Sequence, residues 1–134
     1  MNVFVDTSAF LALLDRSETM HPQAGAIWLH LLAQEDTSLF CTNYVLLESA
    51  ALIQRRLGMR FVKTFQTDVT PVLHLKWVDE ELHRAAVMAL LTANRRQLSL
   101  VDCVSFAAMR QLSIEHYFGF DEHFVEQGFT AVTP

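Results

Sequence analysis

The sequence predicts a single α/β domain over residues 1–134, with a mainly parallel central sheet of four or five strands and helices on both faces. Short apolar segments alternate with longer amphipathic segments along nearly the whole chain, and this alternation is typical of parallel sheets whose strands are linked by helices. The composition agrees: 51% of the residues are hydrophobic, with only four glycines and three prolines, which favours one compact fold over disorder.

The first half of the chain contains two predicted strands and their helices. Val3-Phe4-Val5 joins β-branched and aromatic residues, as expected of a strand covered on both faces. Thr7 and Ser8 can cap the helix that follows. Further along we predict a helix over 20–34, a strand over 38–42 and a helix over 43–57 that ends at Gly58.

The second half repeats the alternation with more helix. We predict a helix over 59–69 that Pro71 ends, and a long helix over 78–94 with acidic residues in its first turn, where the helix dipole favours them. The other predicted elements are a strand over 72–75, a helix over 99–112, a strand over 114–120, a short helix over 121–127 and a last strand or tail over 129–132.

The net charge of −5, from ten basic and fifteen acidic residues, does not indicate a general nucleic-acid-binding surface. The basic residues are nevertheless clustered, with Arg95 and Arg96 adjacent and a larger group at Arg55, Arg56, Arg60 and Lys63. Such clusters are usually solvated helix faces, and contact with phosphate is the alternative.

Apolar runs stop well short of the roughly 18 residues that a membrane span needs, and no basic segment precedes a cleavable apolar core. We therefore expect a soluble, cytoplasmic protein without membrane association. Cys41 and Cys103 lie in apolar surroundings without metal-ligand spacing, which predicts reduced thiols in the core.

Four acidic residues stand at positions that call for an explanation. Asp6 follows the first predicted strand and Asp121 follows the strand over 114–120, and ligands of parallel sheets bind at the carboxyl ends of strands. Glu48 and Asp102 lie among apolar residues in helices whose first halves we expect to be buried. A buried carboxylate is costly unless it is paired, hydrogen-bonded or bound to a cation.

Each acid also has a simpler interpretation, since Asp6, Asp102 and Asp121 could cap helices and Glu48 could point outward. No Lys or Arg lies close to Asp6, Glu48 or Asp102 in sequence, although Arg16 or Arg95 could approach in space. Four such acids together are better explained by a hard divalent cation. Oxygen ligands suit Mg²⁺ or Mn²⁺, and the absence of a Cys/His set disfavours zinc.

Four segments carry a family resemblance: "VDTSAFLALLD", "TNYVLLES", "LSLVDCVSFAAMRQL" and "YFGFDEHFVEQGF". In their order and flanking residues the chain resembles a PIN domain, and more narrowly the toxin ribonucleases of VapC type, along nearly its whole length. The resemblance implies a three-layer α/β/α sandwich. It also implies that the four acids, Asp6, Glu48, Asp102 and Asp121, hold one or two Mg²⁺ or Mn²⁺ ions.

The resemblance extends to neighbouring positions. Thr7 and Ser8 match a hydroxyl pair that follows the first acid, one of which can assist metal-bound water, and Ser105 matches a polar position near the site. Ser105 is three residues after Asp102 and therefore on the same side of the helix. Cys103 and Glu122 stand at positions that vary among relatives.

The implied function is metal-dependent endoribonuclease activity, as the toxin of a type II toxin–antitoxin pair. The implied partners are an RNA substrate, a cognate antitoxin and a second copy of the chain, a homodimer being consistent with the large apolar residues at Trp28, Phe61, Phe65 and Trp77. The Arg55, Arg56, Arg60 and Lys63 cluster would contact RNA phosphates. The six histidines are scattered, and we expect none, including His123, to have a catalytic role.

Two other functions compete with this interpretation. A PIN-like domain that has lost catalysis could serve as an interaction scaffold, although all four acids are present. A receiver or a haloacid-dehalogenase-like phosphatase also places Asp at strand ends. The first strand lacks the paired aspartates of the phosphatases, and no Lys stands at a strand end where a receiver needs one.

Overall fold

The computed structural model describes all residues from 1 to 134. Its five strands are β1 (Asn2–Val5), β2 (Ser38–Thr42), β3 (Leu73–Lys76), β4 (His116–Phe118) and β5 (Thr130–Ala131). Its seven α-helices are α1 (Thr7–Leu14), α2 (His21–Ala33), α3 (Asn43–Leu57), α4 (Met59–Thr64), α5 (Glu80–Ala93), α6 (Leu100–Gln111) and α7 (His123–Glu126).

The strands form one sheet in the order β3-β2-β1-β4-β5, and all four strand pairs are parallel. The chain passes from β1 outward to β3 on one side, then returns to place β4 and β5 on the other side. Because parallel crossovers are right-handed, this reversal puts α1 to α4 on one face and α5 to α7 on the other. The predicted α/β/α sandwich with a five-stranded parallel sheet is confirmed.

The central strand β1 forms the middle of the core. Val3, Phe4 and Val5 are fully buried, as expected of a strand covered on both faces. They belong to one continuous cluster of buried apolar side chains that draws on every layer of the sandwich. Cys41 and Cys103 lie in this cluster as free, buried thiols, which confirms their predicted place.

Three local predictions need correction. The helix predicted over 59–69 is α-helical only to Thr64, and a π-helical turn continues over Phe65–Val69, where the Thr70 N–H donates to the Phe65 carbonyl five residues back. This wide turn leaves both Phe65 and Val69 buried. Pro71 lies in a following 3₁₀ turn, so β3 begins one residue later than predicted.

The cap of α1 is the second correction. Asp6, rather than Thr7 or Ser8, is the N-cap, because its backbone is extended and its side chain accepts a hydrogen bond from the Ser8 N–H. Thr7 and Ser8 lie in the first turn of the helix. The last predicted strands and the short helix between them are also shorter than expected, since only their central residues have regular backbone hydrogen bonds.

Several large apolar side chains remain exposed on α2, α3, α5 and the end of β3. Leu47 is 73% exposed and Trp77 is 68% exposed, whereas Phe65 is fully buried. None of the helices combines the length and the apolar character that crossing a membrane would require.

Candidate active site

The carboxyl ends of β1 and β4 lie side by side where the strand order reverses. Asp6 directly follows β1, and its backbone N–H donates to the Phe118 carbonyl at 2.9 Å, which extends the pairing of the two strands. Asp121 follows β4 after two residues. This edge of the sheet is the place where open α/β folds bind their ligands.

Asp6 is almost inaccessible, with 4% of its surface exposed. Its Oδ2 accepts hydrogen bonds from the Ser8 N–H at 3.2 Å and from the Ser8 hydroxyl at 2.7 Å. The Ser8 oxygen in turn accepts the Phe120 N–H at 2.8 Å. Ser8 therefore joins the first acid to the loop that carries Asp121, and its single hydroxyl proton is already donated to Asp6.

Gly119 makes this close approach possible. A Cβ atom at this position would lie 3.0 Å from the Asp6 Cβ and 3.2 Å from the Ser8 Oγ. Any larger residue would have to push the loop away from Asp6 or displace the two side chains. The glycine therefore allows the backbone after β4 to pack directly against the acid that follows β1.

Asp102 is fixed by the start of α6. The Ser99 hydroxyl accepts the Asp102 N–H at 3.0 Å, and the Asp102 Oδ2 accepts the Ser99 N–H at 3.2 Å, which is a complete capping box. Asp102 is 8% exposed. Its capping role is therefore real, and it occupies only one of the two carboxylate oxygens, Oδ2.

His123, one of the six histidines for which no catalytic role is expected, lies beside Asp102 and Asp121. Its side chain is 11% exposed, and its Nδ1 lies 3.0 Å from the Asp121 Oδ1 and 3.8 Å from the Asp102 Oδ2. One ligand atom from each of these three residues lies within 4.8 Å of the other two. The sequence signal is the Asp-x-His spacing after β4, because Asp121 accepts the His123 N–H at 2.9 Å and so turns the histidine back toward the acids.

Burial and mutual repulsion change the acidity of the site. Dehydration raises the pKa of Asp6 to about 6, and the nearby charges of Asp102 and Asp121 add to the rise, while the Ser8 hydrogen bonds oppose it. Dehydration is also the main reason that the pKa of Asp102 is raised, with Asp121 contributing. The site therefore holds more negative charge than its surroundings easily tolerate.

No arginine or lysine relieves this charge. Arg95 pairs with Glu126 at 2.8 Å, and Arg16 forms no ion pair, so neither is the counter-ion that the sequence had left open. The only basic group in contact with the acids is the imidazole of His123. Asp6, Asp102 and Asp121 thus lie near one another, and none of them is neutralised by an arginine or a lysine.

Glu48 lies apart from this group. It is half-buried, makes no hydrogen bond or ion pair, and is not among the three residues whose ligand atoms converge. The expectation that the first half of its helix is buried is wrong in part, because only Val45 and Ser49 are buried there and Leu47 is exposed. A bond from the Ser49 hydroxyl to the Thr7 Oγ1, at 3.3 Å, still holds this turn of α3 against the residue next to Asp6.

The two remaining hydroxyl positions are both buried. Thr7 is 5% exposed and accepts the Ser49 bond. Ser105 is fully buried one turn after Asp102, and its Oγ has no hydrogen-bond partner. Buried hydroxyls nearly always have a partner, so the lone Ser105 hydroxyl is an exception, one helical turn from Asp102.

The donor set fits a divalent cation. The converging atoms are two carboxylate oxygens and one imidazole nitrogen, and the buried Asp6 carboxylate interacts electrostatically with both aspartates. Hard oxygen ligands suit Mg²⁺ and Mn²⁺. A doubly charged ion would also compensate the negative charge that no arginine or lysine balances.

Comparison with known proteins agrees with this geometry. The PIN domain family model matches residues 3–129. The "23S rRNA-specific endonuclease VapC20" of Mycobacterium tuberculosis is 32% identical over 133 residues, which are 98% of this chain and 98% of the relative. This similarity confirms the predicted resemblance to VapC-type toxins.

Solved structures give the same result. The crystal structure of Mycobacterium tuberculosis VapC20, described as a sarcin–ricin loop cleaving toxin, has a TM-score of 0.87 at 30% identity and covers 98% of this chain and 99% of its own. FitAcB from Neisseria gonorrhoeae has a TM-score of 0.69 at 16% identity over 99% of this chain and 97% of its own, and shares the fold. From its fold, its acidic motifs and a full-length relative, the chain belongs to the PIN domain family.

Proposed function

We propose that the protein is an endoribonuclease that hydrolyses RNA phosphodiester bonds with a bound Mg²⁺ or Mn²⁺. The observation that carries the proposal is the convergence of Asp102, Asp121 and His123, close to the buried Asp6, into one acidic site that no arginine or lysine neutralises. The relative VapC20 is named as a 23S rRNA-specific endonuclease, which supports RNA as the substrate.

Asp102 and Asp121 would hold the ion together with Asp6, and His123 and Glu48 would complete the site directly or through water. When bound, such an ion lowers the pKa of a coordinated water and stabilises charge on the phosphoryl oxygens. Ser8 fixes the Asp6 carboxylate through two hydrogen bonds. We therefore assign it to positioning the acid rather than to assisting water.

The acids also determine when RNA can enter. An uncompensated acidic site repels phosphate. The same residues that hold the cation must therefore exclude RNA until the cation is bound. Thr7 and the partnerless hydroxyl of Ser105 lie close to this site in sequence and are the remaining groups that could hold a water there. An inactive scaffold is the weaker alternative, because it gives no reason to keep two costly buried acids, Asp6 and Asp102, beside a third acid, Asp121.

The proposal is tested by measuring cleavage of one RNA with different metal ions and without metal. The full chain should cleave a fragment of 23S rRNA containing the sarcin–ricin loop in Mn²⁺ or Mg²⁺, lose activity in EDTA, and regain it when the metal is restored. Asp102→Asn should lower kcat/KM by more than about 100-fold. Asp36→Asn is the matched control, since Asp36 is exposed and lies before β2, away from the carboxyl ends of the strands.

Two results would count against the proposal. One is a wild-type protein that leaves this RNA and other RNAs intact in both metals. The other is full activity of Asp102→Asn, which would place the reaction elsewhere.

We further propose that the protein is the toxin of a type II pair, inhibited by a cognate antitoxin. Expression of the wild-type chain, but not of Asp102→Asn, should then arrest growth. Co-expression of the small protein encoded beside it should restore growth. Arrest by both forms would separate toxicity from RNA cleavage.

A homodimer is the assembly that the exposed apolar residues favour. Leu47 on α3 and Met88 and Leu91 on α5 are each at least 64% exposed. The two helices are joined by a 2.6 Å hydrogen bond between the Tyr44 hydroxyl and the His83 Nδ1. Sedimentation should show a dimer for the wild type and a monomer for Leu47→Asp, and an unchanged dimer would move the interface elsewhere.

A further inference from the structure

A cavity of about 440 Å³ lies on the α1 and α4 side of the sheet and is lined by Arg16, Arg60, Phe61 and Thr64. Arg16 follows Asp15, the C-cap residue of α1, and Arg60 is the second residue of α4. The fold therefore brings together two arginines that are 44 positions apart in the chain. No acidic residue lines this cavity, which we call the cationic cavity.

Both guanidinium groups of the cationic cavity lack a protein partner. The side chains of Arg16 and Arg60 make no ion pair and donate no hydrogen bond. Four other arginines of the chain have protein partners, among them Arg56 with Glu18 at 3.0 Å and Arg95 with Glu126 at 2.8 Å, whereas Arg55 and Arg96 are exposed and line no part of this cavity. In a chain with fifteen acids and ten bases, two unpaired arginines facing one hollow indicate a site for an external anion.

The cationic cavity lies at the opposite end of α1 from the acidic site. Ten residues separate Asp6 from Arg16, which is roughly 15 Å along a helix. A smaller cavity of about 150 Å³ also lies along α1, and its lining includes Ser8, which holds Asp6, together with Phe120 and the paired Arg56 and Glu18. The surface beside α1 is therefore concave near Asp6 as well as at the two arginines.

From this placement we infer that Arg16 and Arg60 bind a backbone phosphate of the RNA substrate, a few nucleotides from the bond that is cleaved. Guanidinium groups bind phosphate oxygens through two parallel hydrogen bonds, and the Phe61 ring in the same cavity offers a surface on which an unpaired base can stack. The inference rests on the proposed ribonuclease function. Of the cluster Arg55, Arg56, Arg60 and Lys63, which we expected to contact RNA, the inference keeps only Arg60. It adds Arg16, which lies outside that cluster.

The first experiment measures cleavage kinetics of a 12-nucleotide single-stranded RNA in Mn²⁺ at several salt concentrations. Arg16→Gln/Arg60→Gln should lower kcat/KM by about 10- to 100-fold at low salt, the range expected for lost charged hydrogen bonds, with kcat at saturating RNA unchanged. The salt dependence of log kcat/KM should become shallower by about 0.7, as for one lost phosphate contact on a single strand.

The control is Arg96→Gln, which removes one positive charge, where the double variant removes two, from an exposed arginine that pairs with no acid and lines no part of the cationic cavity. It should retain the wild-type kinetics and salt dependence. Calorimetric titration with Mn²⁺ should give the same affinity for the wild type, the control and the double variant. That result would show that the acidic site is intact in all three.

A second experiment locates the phosphate. Once the cleaved bond of the 12-mer is known, RNAs are made in which one flanking phosphate at a time is replaced by a neutral methylphosphonate. For the wild type, one position at a distance from the cleaved bond should lower kcat/KM. In Arg16→Gln/Arg60→Gln the same replacement should have no further effect, because the contact is already lost.

Each outcome separates the two proposals. If the wild type cleaves RNA and the double variant behaves like Arg96→Gln, the phosphate site is wrong and the ribonuclease function stands. If the wild type cleaves no RNA, both proposals are wrong. If a hexaglutamate peptide binds in a manner that requires Arg16 and Arg60 while RNA kinetics are unchanged, the cavity receives an acidic protein segment and the RNA inference is wrong.

Discussion

The two ends of α1 carry the same short motif in opposite electrostatic settings. At the start of the helix, Asp6 accepts hydrogen bonds from the N–H and hydroxyl of Ser8 at 3.2 and 2.7 Å. At its end, Asp15 accepts the equivalent bonds from Ser17 at 2.9 and 2.7 Å. Both aspartates are less than 9% exposed. Their sequences and local geometry therefore give little reason to expect different chemistry.

Their acidities nevertheless shift in opposite directions. At Asp6 dehydration dominates and Asp102 and Asp121 add repulsion, so the pKa rises to about 6. At Asp15 the two Ser17 hydrogen bonds dominate, and the positive charges of Arg56 and His21 help to lower the pKa. The difference comes from residues that are distant in sequence. An Asp-x-Ser motif therefore becomes part of an acidic site only where the fold surrounds it with further acids.

The largest expected effect is on cleavage. Asp6→Asn should reduce kcat/KM by at least about 100-fold, because it removes a charge that the bound cation requires. Asp15→Asn removes the same charge from the same kind of turn and should leave cleavage nearly unchanged. RNA cleavage in Mn²⁺ by the two variants and the wild type measures this contrast. Equal losses in both variants would mean that the motif itself, rather than its acidic neighbours, determines activity.

The next expected effect is on stability without metal. An Asp6 pKa near 6, against an ordinary value of 3.8, means that the unfolded chain releases this proton at lower pH than the folded one. Stability therefore falls as pH rises from about 4 to 6, by about 3 kcal/mol in all, and stays low above that range. Asp6→Asn should remove this loss, and an Asn also serves as an N-cap.

Asp15 should show the opposite sign. Its lowered pKa stabilises the fold at neutral pH, and this contribution disappears as pH falls through the folded pKa. Asp15→Asn should therefore lower the free energy of unfolding at pH 7 and have less effect in acid. Urea unfolding of the EDTA-treated proteins between pH 4 and 7 tests both signs. A destabilised Asp6→Asn at pH 7 would show that the carboxylate is well solvated or paired.

The difference between the two aspartates also explains what could be predicted from the sequence. The strands were predictable because Val3-Phe4-Val5 and residues 38–42 are apolar runs with clear ends, and the same pattern placed Asp6 and Asp121 at one edge of the sheet. Local signals therefore sufficed for the fold and for two of the acids. They missed the π-helical turn over 65–69, which depends on burying both Phe65 and Val69 against the core.

Contacts across the sheet were the part that local signals could not provide. His123 enters the site because Asp121 turns the chain and because α7 packs against the core through the buried Phe124. The scattered positions of the histidines in the sequence indicate neither contact. Glu48 was expected to be buried from its apolar neighbours, yet Leu47 beside it faces solvent. Which face of α3 is buried depends on the helices packed against it, and these are distant in sequence.

A smaller effect is expected from the two serines. Ser8→Ala should remove both the bond to Asp6 and the acceptor of the Phe120 N–H, and so weaken Mn²⁺ binding and cleavage by about 10- to 100-fold, as loss of a supporting hydrogen bond usually does. Ser17→Ala should leave both unchanged. Calorimetric titration with Mn²⁺ and RNA cleavage rates compare the two variants with the wild type. Unchanged binding in Ser8→Ala would mean that the Asp6 carboxylate is held in place without it.

The smallest expected effect comes from adding one methyl group near each end of α1, at Gly119 beside Asp6 and at Gly25 in α2. Gly119→Ala places a Cβ at 3.0 Å from the Asp6 Cβ, which is closer than carbon atoms normally approach, so the loop carrying Asp121 must shift by a few tenths of an ångström. Overpacking of this kind costs roughly 1 kcal/mol. When the binding free energy of Mn²⁺ is reduced by this amount, the Mn²⁺ affinity falls about fivefold.

Gly25→Ala is the matched methyl group in α2, the helix that follows the Asp15 end of α1. Nothing lies within 4 Å of the Cβ that it adds, and alanine is the better helix former, so this variant should be slightly more stable with unchanged Mn²⁺ affinity. Titration with Mn²⁺ and thermal unfolding distinguish the two variants. If Gly119→Ala binds Mn²⁺ as tightly as the wild type, the acids tolerate a displaced loop, and the close contact between β1 and the loop after β4 serves packing rather than the alignment of Asp6 with Asp121.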